Sequence, residues 1–194
     1  MEKPPLTSSR TVERIFLITT PIYTRKNNKV ISQATGFFFR DKDQIYLVTN
    51  KHVIYGDDFA KPNVKAKCDE FVIVLHTNSA DLTMNEQITI PLYKGKQKQW
   101  KLHSDPSIDV VCLPITLDEK KFLISVLEPN ALEDTDLVVG FEQLYVFGYP
   151  YGWYDKLHNL PVVRIGHLSS PYKVPFHGLP INLADVETHK GMSG

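Results

Sequence analysis

Long hydrophobic runs are missing from this 194-residue sequence. The longest are short, as in Ile15-Phe16-Leu17-Ile18, well below the roughly 18 residues of a membrane-spanning helix, so no membrane partner is expected. Cysteine is almost absent too. Cys68 and Cys112 allow at most one bridge, and neither a CxxC pair nor a Cys/His ligand spacing occurs. That excludes a disulfide-stapled scaffold and points to two reduced thiols in a cytoplasmic protein. Asn-x-Ser/Thr glycosylation sites are lacking, and Met1-Glu2-Lys3-Pro4-Pro5 has no basic stretch leading into an apolar one, so no secretory leader is expected. Net charge is also absent, with 22 Lys+Arg against 22 Asp+Glu. A neutral chain has little of the positive field that tracks phosphates, so nucleic acid is not an expected partner. Disorder is equally disfavoured, because it needs low hydrophobicity and high net charge.

What is present is a chain 42% apolar, enough to bury a substantial core. Its charge is unevenly spread. Residues 1–103 carry 16 basic and 10 acidic side chains, and residues 104–194 carry 6 and 12. This suggests two lobes of opposite sign. Short runs rich in Val, Ile, Phe, Tyr and Thr predict strands near Arg14–Thr19, Ala34–Arg40, Gln44–Thr49, Phe71–Leu75, Gln87–Leu92, Gln99–Leu102 and Val110–Ile115. Further strands are expected near Leu144–Tyr149, Val162–His167 and Ile181–Val186. Asp41-Lys42-Asp43 reads as a hairpin turn, Leu117–Leu127 as the one helix, and Glu128–Asp136 as a linker. Many short strands with few helices predict an all-β sandwich or barrel.

Three segments could carry chemistry. In Leu47-Val48-Thr49-Asn50-Lys51-His52 an apolar strand ends and His52 follows within one turn. In Ser107-Ile108-Asp109-Val110-Val111-Cys112 an Asp opens an apolar strand, where a carboxylate is costly unless something pairs with it. In His189-Lys190-Gly191-Met192-Ser193-Gly194 a Ser is framed by glycines, which permit unusual backbone angles and let N–H groups face an oxyanion. Each alone also reads as an ordinary surface histidine, strand-leading Asp or glycine turn. Together they run His, Asp, Ser, at spacings of 57 and 84. That order excludes the Ser-first α/β-hydrolases and is the order of the chymotrypsin-type triad.

On these residues the chain resembles the trypsin-like serine peptidases of chymotrypsin fold, and within them a bacterial intracellular branch. The matching pieces are Thr35-Gly36-Phe37-Phe38-Phe39, Thr49-Asn50-Lys51-His52, Asp109-Val110-Val111-Cys112-Leu113, Gly148-Tyr149-Pro150 and Gly191-Met192-Ser193-Gly194. The resemblance implies two antiparallel six-stranded-type β-barrels, the first over residues 10–116 and the second, incomplete at its C-terminal end, over 136–194. Residues 117–135 would be a linker with a short helix. It implies peptide-bond hydrolysis with Ser193, His52 and Asp109 as catalytic residues and the N–H groups of Gly191 and Ser193 as the oxyanion hole. Glu187, six residues before Ser193, falls where the resemblance puts the base of the substrate pocket. Met192 stands where digestive relatives carry an activating Asp, so cleavage of an N-terminal segment is not expected to be needed.

No cofactor is expected, and no metal, because His76, His103, His158, His167, His177 and His189 show no paired ligand spacing. Expected partners are peptide or protein substrates; the oligomeric state is open. The competing reading is a double barrel that holds peptides or a partner without turnover. The cluster Tyr149, Tyr151, Trp153 and Tyr154 would suit either a peptide cleft or loop packing.

Overall fold

The structure is a computed structural model and describes residues 13–61, 64–132, 138–151 and 153–193. Twelve strands run through it: β1 (Thr19–Lys26), β2 (Lys29–Asp41), β3 (Gln44–Thr49), β4 (Glu70–His76), β5 (Asn85–Pro91), β6 (Tyr93–Lys94), β7 (Gln97–Lys98), β8 (Lys101–Leu102), β9 (Val111–Ile115), β10 (Gln143–Gly148), β11 (Val162–Leu168) and β12 (Ala184–Asp185). Among the described residues the single α-helix, α1, spans Lys51–Tyr55, and 3₁₀ turns cover Arg14–Leu17 and Pro129–Leu132.

Seven strands form one antiparallel sheet in the order β5-β4-β1-β2-β3-β9-β8, and β10-β11-β12 form a second, smaller one. Turn chemistry sets the register of the first sheet. Asn27 and Asn28 both have positive φ (49° and 63°), the two-residue turn whose twist matches paired strands, and Lys26 therefore faces Lys29. At Asp41-Lys42-Asp43 the turn expected from the sequence is present, with Lys42 at φ 54° and Asp41 paired to Gln44. The core lies inside the first sheet, where Ile22, Phe38, Leu47, Phe71, Ile73 and Leu113 are fully buried.

Four local expectations are corrected. No helix forms over 117–127. The segment makes one turn at Asp118–Phe122, after which Leu123 bridges His76 and Leu127 bridges Phe39, so its backbone completes existing strands rather than itself. Arg14–Leu17 is a 3₁₀ turn, and β1 begins later, at Thr19. The last strand is only Ala184–Asp185 rather than Ile181–Val186, and Gln99–Leu102 shrinks to Lys101–Leu102. Part of the expected linker, residues 133–137, lies outside the described residues.

Candidate active site

The end of β3 and the start of β9 are neighbours, with Thr49 opposite Val111. This register brings the residue two before Val111 beside the residue three after Thr49. Asp109 and His52 are those residues. The His52 ring Nδ1 lies 2.6 Å from Asp109 Oδ2, and the His52 main-chain N–H donates to Oδ1 at 2.9 Å. Asn50 adds a third tie by donating its side-chain amide to the Asp109 carbonyl at 2.8 Å. With Asp109 accepting from Nδ1–H, the neutral ring has a bare Nε2. Both side chains are half-buried.

The approach to Asp109 is fixed as well. Lys51 is buried, donates to the Pro106 carbonyl at 2.9 Å and sits 5.5 Å from the Phe59 ring centre. The Ser107 hydroxyl and N–H both donate to the Asp105 carboxylate, and these bonds hold its pKa below the ordinary value.

The loop 189–193 has its carbonyls consumed on one side. His189 O accepts from the Met192 N–H (3.2 Å), and Lys190 O accepts from the Tyr151 N–H (2.7 Å). Gly191 O accepts from the Thr35 hydroxyl (2.8 Å), and Ser193 O accepts from the Thr35 N–H (2.7 Å). Gly191 takes φ +98°, and a Cβ there would lie 2.6 Å from the Tyr149 carbonyl oxygen. Only glycine fits. Met192 is buried and packs on Gly148. Among the described residues, the N–H groups of Gly191 and Ser193 and the Ser193 hydroxyl hold no hydrogen bond. The loop therefore carries two N–H donors and a hydroxyl that no described residue engages.

The structure thus joins His52 to Asp109 directly. Ser193 is tied to the same strand end through Thr35, whose carbonyl accepts from the Thr49 hydroxyl at 2.8 Å. No hydrogen bond links Ser193 Oγ to His52 among the described residues. Gly194 lies outside them. Glu187 is not a lone carboxylate: its exposed side chain lies 3.5 Å from both Arg164 Nη1 and His189 Nε2. The aromatic cluster divides. Tyr149 is buried, and Tyr154 shares a 2.5 Å hydrogen bond with Tyr23, whereas Tyr151 and Trp153 face solvent. For the described residues, no cluster of His, Cys, Asp and Glu could hold a metal ion. Cys68 and Cys112 are free, and burial pushes the Cys68 thiol up to about 12, where it is inert.

The family model described as a trypsin-like peptidase domain matches residues 34–194. The chain belongs to this family. Its members are serine peptidases, and the match begins one residue before Thr35 and runs past Ser193. The sequence matches no curated protein. Among solved structures, it is similar to the HtrA-type protease AlgW with tripeptide, at 18% identity and a TM-score of 0.55, covering 93% of this chain and 46% of that one. It is also similar to the serine endoprotease from Yersinia pestis, at 17% identity and a TM-score of 0.55, covering 100% of this chain and 53% of that one. At these identities the likeness is one of fold. The chain spans about half the length of the structures it matches.

Proposed function

We propose that this chain is a serine endopeptidase domain whose sheets curl into the two six-stranded-type barrels of the chymotrypsin fold. His52 and Asp109 would belong to the first (10–116) and Ser193 to the second (136–194). The observation that carries the reading is the pairing of His52 Nδ1 with Asp109, and a loop whose Gly191 and Ser193 N–H groups no described residue engages supports it.

In this reading Ser193 Oγ attacks the scissile carbonyl carbon of a peptide, and its proton passes to His52 Nε2. Asp109 holds the imidazole tautomer and stabilises the imidazolium that forms. The tetrahedral oxyanion is met by the N–H groups of Gly191 and Ser193, one such donor being worth about 10²–10³ in rate. Collapse breaks the C–N bond, and the leaving amine takes the proton from His52. Water then repeats the sequence on the acyl-enzyme, releasing the acid and restoring Ser193. No cofactor enters these steps. Glu187 would draw Lys or Arg side chains only weakly, because Arg164 already faces its carboxylate.

A fluorophosphonate probe tests the reading. Its phosphorus is attacked by an activated serine with loss of fluoride. We expect one adduct, located on Ser193 by mass spectrometry and abolished in His52→Ala. A protein labelled equally well without His52, or not at all, would instead be one that holds peptides without cleaving them.

A further inference from the structure

Thr35 is buried, and every polar group it has is used across the molecule. Its N–H holds Ser193 O, its carbonyl takes the Thr49 hydroxyl, and its own hydroxyl donates to Gly191 O at 2.8 Å and accepts from the Tyr149 N–H at 2.9 Å. One step along the same strand face, Gln33 donates to the Tyr149 carbonyl at 3.0 Å. The middle of β2 therefore grips both the turn at Tyr149 and the loop carrying Ser193.

The consequence follows from the geometry of the trans peptide, in which C=O and N–H point opposite ways. Tyr151, two residues from the gripped Tyr149, fixes Lys190 O with its N–H. The Gly191 N–H, on the other end of that peptide unit, is thereby turned to the opposite side. The Thr35 hydroxyl fixes the next peptide through Gly191 O, and the Met192 N–H is turned toward His189 O. We infer that the Thr35 hydroxyl is a positioning residue: by holding Gly191 O and the Tyr149 N–H at once, it clamps the nucleophile loop at its Gly191–Met192 peptide to the turn at Tyr149 and registers both against the strand end that precedes His52. What the loop does rests on the endopeptidase reading; that Thr35 clamps it does not.

Two measurements on Thr35→Val and Thr35→Ser separate these claims. Valine keeps the shape and removes the hydroxyl, whereas serine keeps the hydroxyl. In hydrogen exchange, Thr35→Val should speed the Tyr149, Tyr151 and Met192 amides by about tenfold, the size of one lost hydrogen bond, and leave β4 (Glu70–His76) protected as before. Thr35→Ser should restore the slow exchange. In fluorophosphonate labelling of Ser193, Thr35→Val should fall by about 10²–10³, and Thr35→Ser should recover most of the rate. Unchanged exchange at those three amides in Thr35→Val overturns the inference, as does a Thr35→Ser protein that behaves like Thr35→Val. Should Thr35→Val fail to fold, Thr35→Ser decides alone, because loss of protection at the three amides with the hydroxyl present is fatal to it. The predicted exchange pattern in a chain that never labels would uphold Thr35 and sink the endopeptidase reading.

Discussion

His52 meets Asp109 through two contacts, one to the ring and one to its main chain, and the pair responds to substitution in a specific way. In Asp109→Asn the amide group presents a donor to Nδ1, which moves the ring proton to Nε2. His52 then faces Ser193 as a donor rather than a base. If the proposed mechanism holds, kcat on a peptide substrate should drop by about 10⁴ with the fold intact, as tautomer reversal costs in this type of triad. A loss below tenfold would remove Asp109 from the role. Gly191 is the second sensitive residue. Its φ of +98° and the 2.6 Å approach to Tyr149 O leave no room for a methyl group. Gly191→Ala should cost about 1–2 kcal/mol of stability from backbone conformation alone, read from a urea unfolding curve.

At the scale of elements, β2 is the organising strand. It pairs with β1 and β3, and Gly36 lets all three close up. A Cβ at Gly36 would come within 2.6 Å of Ile22 Cδ1 and 2.9 Å of Leu47 Cδ1, both fully buried. Gly36→Ala should therefore overpack the core and lower unfolding stability by about 1–3 kcal/mol; an unchanged urea midpoint would mean that the core yields more easily than its burial implies. The elements also show what could be read from the sequence. β3 was legible to the residue because Gln44–Thr49 is bounded by a turn and by His52, and β4 and β11 were legible through their β-branched runs. Leu117–Leu127 was misread because its charged stretch Asp118–Lys121 mimics a helical polar face, while its fate is set by the distant carbonyls of His76 and Phe38, which accept the Leu123 and Leu127 N–H groups. Residues 20–26 of β1 were missed, because Pro21 interrupts the pattern. The site residues were legible as an ordered set. Thr35 was visible only as part of a motif, because four long-range hydrogen bonds leave no local trace.

For the whole molecule, the distribution of burial decides which half opens first. Every member of the buried core cluster lies between Ile22 and Phe122. In the described part of 138–193, the buried apolar side chains are Tyr149, Pro150, Pro161, Leu168 and Met192. The second sheet also exposes apolar groups: Tyr145 and Ile165, directly paired across β10 and β11, are 58% and 59% exposed, and Phe141 is 88% exposed. Local opening energies track buried apolar contact, so the second sheet should sit at the low end of the stability range. Its attachment to the first runs through the hydrogen bonds of Thr35 and Gln33, the Tyr149 hydroxyl on Thr19 O, the Tyr23–Tyr154 pair, His76 with the His158 carbonyl, and the edge contact of Phe147 with Phe16. Hydrogen exchange should therefore find the amides of β10 and β11 exchanging through smaller openings, well before those of β1 and β4. Equal protection of β4 and β11 would show that the two sheets unfold as one unit. The Ser193 loop would then share the rigidity of the first sheet's core rather than depend on its ties to Thr35, Tyr151 and Gly148.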